Sequence, residues 1–269
     1  MRGPRSSGGS ANPAQGSLRV ERDGDIALVR LDRPAKRNAL NDVLFSGMEN
    51  YFSSVPADVR AAVLYGEGEH FCAGLDLSEL KQLTAAQGMA HSIMGHRAFD
   101  RIQFGSVPVV AVLHGAVVGG GLELACAAHV RVAETSAFYA LPEGQRGIFV
   151  GGGGSVRVPR IIGASRMTDM MLTGRVYSAE EGQKIGLSHY LTAPGEGLKK
   201  GIELARAIAK NAPLTNFAVM HALPRIAEAG QDHGMFMEAL ISGVAQADPE
   251  AKRRMQNFLD KRAPKVRKS

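Results

Sequence analysis

The chain has 269 residues, enough for one large or two small domains at about 150 residues each. With 45% hydrophobic and 22% charged residues it is neither a disordered nor a fibrous chain, and its longest apolar stretch, Val107–Leu113, stops at His114, far short of the roughly 20 residues of a membrane span. Its net charge of +6 is uneven: residues 252–269 carry +7 and residues 1–17 carry +2, leaving a body of −3, which argues against a nucleic-acid binder with charge spread over the fold. The basic end reads as a solvated terminal helix. Two cysteines, Cys72 and Cys126, cannot build a disulfide framework and fit a reducing, cytoplasmic setting.

Residues 1–17 hold no aliphatic side chain beyond Ala and Met1 and are expected to be a disordered extension. Order begins with Leu18–Glu21, a turn at Arg22-Asp23-Gly24-Asp25 and the alternating run Ile26–Asp32, a hairpin. Helical spacing of Val43, Leu44, Met48, Tyr51 and Phe52 predicts a helix over 41–55, capped by Asn41 or Asp42. Arg60–Tyr65 reads as a buried strand, and His70-Phe71-Cys72-Ala73-Gly74 as a turn feeding a polar helix from about Ser78. Val109–Leu113 is a strand, Gly119-Gly120-Gly121 opens a helix through Ala127, and His129–Ala133 is again a strand. Segments 164–173, 179–185, 196–210, 213–229 and 231–246 read as helices around a short apolar stretch, Leu187–Leu191. The expected architecture is an α/β layered core with parallel strands over 18–200 and a helical C-terminal region over 201–269.

Three glycine clusters invite phosphate-binding templates, and all fail. Gly121 stands where a P-loop needs lysine after Gly115 and Gly120. Arg157 replaces the last glycine of both a dinucleotide fingerprint at 151–157 and a serine-nucleophile elbow around Ser155. Histidines and cysteines lack metal-ligand spacing. What remains is a strand, three glycines and a helix, where bare backbone N–H groups and the helix dipole favour an oxygen anion. A second glycine turn, Ala73-Gly74-Leu75, could supply a matching N–H, and two converging donors form an oxyanion hole.

At these motifs the chain resembles the enoyl-CoA hydratase/isomerase (crotonase) family. The resemblance rests on Asp32-Arg33-Pro34-Ala35-Lys36-Arg37-Asn38-Ala39-Leu40, on His70-Phe71-Cys72-Ala73-Gly74-Leu75-Asp76-Leu77 and on His114-Gly115-Ala116-Val117-Val118-Gly119-Gly120-Gly121-Leu122-Glu123-Leu124. Pro142-Glu143 and the run from Leu172 to Leu187 extend it. It implies a layered ββα core with a C-terminal trimerisation region, and a homotrimer or dimer of trimers. It also implies no permanently bound cofactor, CoA entering as part of the thioester substrate. Lys36 would approach a CoA phosphate, and Ala39, Ala73, Gly74, Asp76 and Leu77 the adenine and pantetheine. The N–H groups of Leu75 and Gly120 would hold the thioester oxygen.

Hydration of a 2-enoyl thioester needs water activated toward C3 and a proton delivered to C2, which two carboxyl groups gripping one water can provide. The resemblance places these at Glu123 and Glu143, so 2-enoyl-CoA hydratase leads. An isomerase, a hydroxycinnamoyl-CoA hydratase-lyase and an RNA-binding homologue of the same fold are the alternatives. Gln145, Arg146 and Phe149 depart from the family's aliphatic-Gly-Pro flavour after the second glutamate, adding polarity and bulk where the acyl chain starts. Met89, Ile93, Met94 and Arg97 would wall the acyl pocket. His91, His96 and His114 are expected to be structural, and Cys72 a buried filler.

Overall fold

The computed structural model describes residues 17–79 and 83–262, with only the backbone given for Glu79. The expected N-terminal extension, Ser17 excepted, and the basic residues after Arg262 lie outside the described residues.

Strands β1 (Leu18–Asp23) and β2 (Ile26–Leu31) form the expected antiparallel hairpin, pairing Leu18 with Leu31. Helix α1 (Asp42–Ser53) starts where the Asn41 side chain accepts from Leu44 N at 3.1 Å. After β3 (Ala61–Gly66), the polar helix expected from Ser78 begins later. Leu77–Glu79 is a single 3-10 turn, and α2 (Ala85–Gln103) opens on a Thr84–Gln87 capping box. There follow β4 (Val109–Leu113), β5 (Ala116–Val118), α3 (Gly120–Ala127), β6 (Val130–Glu134) and β7 (Phe138–Ala140). Helix α4 (Gly154–Ile162) was not foreseen, because a glycine run opens it and Pro159 lies inside it, both ordinarily signs of a loop. The remainder is α5 (Ala164–Thr173), β8 (Tyr177–Ser178), α6 (Ala179–Lys184), β9 (Tyr190–Thr192), α7 (Gly197–Ala209), α8 (Pro213–Phe217), a π turn at Ala218–Ala222, α9 (Leu223–Glu228), α10 (Gln231–Ala247) and α11 (Pro249–Leu259).

The large sheet runs β1-β2-β3-β4-β6-β9, parallel throughout except for the hairpin, and a small sheet runs β5-β7-β8. Strand β4 is buried along its whole length, as a parallel strand covered on both faces must be. Ala62, Leu64, Val109, Ala111 and Leu113 join one core with α1, α2, α3 and the small sheet's Val117 and Tyr139. The alternate residues Ala61, Val63, Val110, Val112 and Val132 meet Ala205 and Ala209 of α7 on the other face. Glu134 anchors α7 by accepting from Gly197 N at 3.1 Å. The boundary expected at 200/201 therefore falls inside a helix the sheet needs for cover, and the purely helical region begins at α8.

Candidate active site

Three loops converge beside the N-terminus of α3. The first, residues 33–40, and the second, residues 67–76, are pinned together by Asn38, which is fully buried. Its Oδ1 accepts from Arg33 N at 2.9 Å, and its Nδ2 donates to Glu67 O at 2.9 Å and His70 O at 2.7 Å. Arg33 adds a second tie, donating to Asp76 Oδ2 at 3.0 Å and to the Ala39 carbonyl. Asp76 also accepts from Ser78 Oγ at 2.6 Å, and these two partners hold its carboxyl below the usual range. Its charge is thus spent on bracing the loop.

Leu40 N donates to Gly74 O and Asp76 N to Leu40 O, both at 2.8 Å, so the intervening Leu75 N–H faces away from that partner strand. Gly74 (φ 101°) turns the chain so closely that a β-carbon on it would stand 3.5 Å from Gly120 N. A β-carbon on Gly120 would likewise stand 3.5 Å from Leu75 N. The backbones of Leu75 and Gly120, from loops far apart in sequence, are thus neighbours at the start of α3.

A cleft of about 350 Å³ reaches Leu75. Lys36, Ala39, Ala73, Leu75, Asp76 and Leu77 all line it, with Arg37, Phe138 and Arg146. Of the expected binding residues, Gly74 and Gly120 do not line it; they pack on one another beside Leu75.

Both glutamates flank Gly119, whose φ of 55° suits glycine. Glu123 N donates to Gly119 O at 3.0 Å, while Glu143 Oε1 lies 2.8 Å from where a Gly119 β-carbon would stand. Glu123 is 1% exposed, and its Oε1 accepts from Gly152 N at 2.8 Å and Gly154 N at 2.7 Å. Those amides open α4, so the glycine run that failed every phosphate template holds an internal carboxylate instead. Arg157 secures the run by donating to Gly152 O at 2.9 Å, and Ser92 Oγ donates to Gly151 O at 2.6 Å. Burial raises the Glu123 carboxyl, while the two amides, Arg157 and His96 pull it back. Glu143 is 5% exposed, and its Oε2 is buried without a hydrogen-bond partner among the described residues. Burial foremost, with repulsion from Glu123, raises its carboxyl to about 7 against the opposing pull of Arg146.

Sequence reasoning missed Asn38, Ser92, Gly152, Gly154 and Arg157. The glycine run was visible, but that its ligand is a carboxylate of this same chain was not. Two of the three histidines expected to be structural have such partners, His114 Nε2 lying 3.0 Å from Gly68 O and His91 packing edge-on against Phe45, whereas His96, 3.4 Å from Ser92 Oγ, acts on the Glu123 carboxyl. Cys72 is fully buried, its thiol pushed up to about 12. Of the expected acyl-pocket wall, Met94 packs on the core, Arg97 pairs with Glu49 at 3.5 Å, and Met89 and Ile93 are exposed. Phe149 is 69% exposed.

Comparison with known proteins agrees. The chain is 31% identical over 246 residues to the short-chain-enoyl-CoA hydratase of Clostridium acetobutylicum, covering 90% of this chain and 94% of that protein. It is 31% identical over 251 residues to the 2,3-dehydroadipyl-CoA hydratase of Escherichia coli, covering 92% and 97%. A solved structure from Rhodopseudomonas palustris, provisionally named an enoyl-CoA hydratase, superposes with a TM-score of 0.90 at 56% identity, covering 95% of this chain and 98% of that one. The family model for enoyl-CoA hydratase/isomerase matches residues 21–268, and the chain belongs to that family.

Proposed function

We propose that the protein is an enoyl-CoA hydratase, a hydro-lyase that adds water across the 2,3 double bond of a 2-enoyl-CoA thioester. The observation that carries this reading is the pair of buried, mutually repelling carboxyls, Glu123 tethered through Oε1 by the α4 amides and Glu143 with an unpartnered Oε2. Two relatives of near-full coverage are hydratases by name. A double-bond isomerase would need one carboxyl to move a proton, whereas hydration uses both.

In this reading the thioester carbonyl accepts from Leu75 N–H and Gly120 N–H, which stabilise the enolate oxygen. Glu123, tethered through Oε1, keeps Oε2 for the water and takes its proton as oxygen bonds to C3. Glu143, its carboxyl raised to about 7 so that much of it keeps its proton at neutral pH, and with an unpartnered oxygen, delivers a proton to C2. The cleft holds the CoA arm, with Ala39, Ala73, Gly74 and Leu77 along it and Lys36 at a phosphate. Asp76 contributes by holding Arg33 in place. The protein carries no resident cofactor in this account.

Within the described part of the basic end, Arg253 and Arg254 pair with Glu250 and Arg262 with Asp260 at 2.5 Å, so part of its charge is neutralised within the chain. Met235, Phe236, Leu240 and Val244 leave an apolar stripe exposed on α10, as suits a homotrimer or dimer of trimers built through the C-terminal helices. No helix among the described residues is long and apolar enough to cross a membrane, and the two free buried cysteines suit a cytoplasmic setting.

The test is loss of enoyl absorbance on short-chain, long-chain and aromatic 2-enoyl-CoA thioesters. Rapid loss with the wild type and a drop of about 10²-fold or more in Glu143→Gln is expected. Absence of turnover on every thioester, with CoA still bound, would remove the hydratase reading.

A further inference from the structure

Among the described residues, Arg146 belongs both to the wall of the cleft and to the turn that carries Glu143. The 3-10 turn Gly144–Arg146 follows Glu143 directly, and Arg146 N donates to Glu143 O at 3.0 Å. Ile148 N donates to the same carbonyl at 3.0 Å, so the turn is closed from both sides. The Arg146 side chain is exposed, reaches the cleft also lined by Lys36 and Arg37, and forms no ion pair among the described residues. Three cations from two separate loops around one narrow cleft make a field for a ligand bearing several negative charges.

We propose that Arg146 binds a phosphate of the CoA moiety and, through the turn it shares with Glu143, links occupation of the cleft to the protonated form of Glu143. This rests on the hydratase reading for the meaning of Glu143 protonation. The sign follows from charge. In the empty protein Arg146 favours the ionised carboxylate; a bound phosphate offsets that pull, and the carboxyl takes up a proton more readily. Apart from burial and its own backbone, the groups acting on Glu143 are Glu123 from α3 and Arg146. Helix α5, whose Met171 carbonyl packs on Gly144, carries Arg166 and Asp169, which bond Ile162 O and Arg175, and strand β7 (Phe138–Ala140) holds no charged residue. A full proton-donating form is thereby drawn up when the carrier is in place.

Calorimetric titration of the full chain with CoA and with pantetheine, in buffers of differing ionisation enthalpy near pH 7, tests this without any turnover. Wild type should take up more protons on binding CoA than Glu143→Gln does, which subtracts the titration of the CoA phosphates themselves. Arg146→Leu should lose that excess uptake and bind CoA about tenfold more weakly, with its preference for CoA over pantetheine narrowed; Arg146→Lys should recover much of the affinity. Unchanged CoA affinity in Arg146→Leu, or an equal loss toward pantetheine, overturns the phosphate contact. Equal proton uptake by wild type and Glu143→Gln overturns the link to Glu143. A protein that hydrates thioesters yet gives either of those results keeps its proposed function and loses this one.

Discussion

Glu143 Oε1 lies 2.8 Å from the place a β-carbon on Gly119 would occupy, so the residue that starts α3 also sets where the second carboxyl stands. Gly119 combines that close approach with a φ of 55°, and its carbonyl accepts from Glu123 N at 3.0 Å. One glycine thus touches the Glu143 carboxyl and caps the helix that carries Glu123. Gly119→Ala should cost about 1–2 kcal/mol in backbone strain and push the Glu143 carboxyl aside. Its kcat on a 2-enoyl-CoA thioester should fall at least about 10²-fold, since misplacement of an ångström is enough. Wild-type turnover by a folded Gly119→Ala protein would contradict this placement.

The Glu123 cradle predicts a second variant. A β-carbon on Gly154 would stand 2.6 Å from Glu123 Cγ and 2.7 Å from its Oε1, leaving the carboxylate no room in its present position. Gly154→Ala should lower kcat with little change in KM, because the CoA cleft does not include Gly154. A KM effect without a kcat effect would mean that the run serves binding instead.

The position of Glu143 should destabilise the fold above neutral pH. Its carboxyl is raised to about 7 from an ordinary 4.5. Below pH 4.5 both folded and unfolded chains keep the proton, and no cost arises. Between 4.5 and 7 the unfolded chain releases it first, so stability falls with rising pH, and above 7 the loss is complete. Glu143→Gln should therefore be the more stable protein at pH 8, by roughly 3 kcal/mol at most, with the advantage shrinking toward pH 5. Urea unfolding of both proteins at pH 5.5 and 8 measures it. A Gln variant no more stable than wild type at pH 8 would mean the carboxyl sits at its ordinary value.

Catalysis should carry the same signature. If ionised Glu123 takes the water's proton and neutral Glu143 donates one to C2, kcat should fall on the acidic side as Glu123, its carboxyl raised by burial, takes up a proton, and on the alkaline side as pH passes the Glu143 ionisation. A rate that instead rises through neutrality would assign Glu143 the role of base.

Asn38 predicts a defect in the loops rather than in the chemistry. Asn38→Ala removes three part-buried hydrogen bonds, among them those to the Glu67 and His70 carbonyls, each worth about 0.5–1.5 kcal/mol. Lower Tm and weaker CoA binding should appear together, since the pinned loops carry both Lys36 and Leu75. A stable variant with unaltered CoA affinity would show that Arg33 and Asp76 suffice.

Local pattern carried the hairpin, the alternation that buries β3 and β4 on both faces, and the capped helix α1, because strand pairing and helix period repeat within a few residues. The loops at Ala73-Gly74-Leu75 and Gly119-Gly120-Gly121 were legible for a similar reason: a run without side chains announces exposed backbone donors wherever it lies. Glu123 and Glu143 were named from the family resemblance that the motifs around them carry. The meeting of Leu75 with Gly120, and of Glu123 with Gly152 and Gly154, depends on segments tens of residues apart arriving at one point. So does the contrast between the two carboxyls, since burial, the α4 amides and Arg157 act on Glu123 while Glu143 keeps an unpartnered oxygen. Chemical type is written residue by residue; protonation and reach are properties of surroundings, which exist only once the chain has packed.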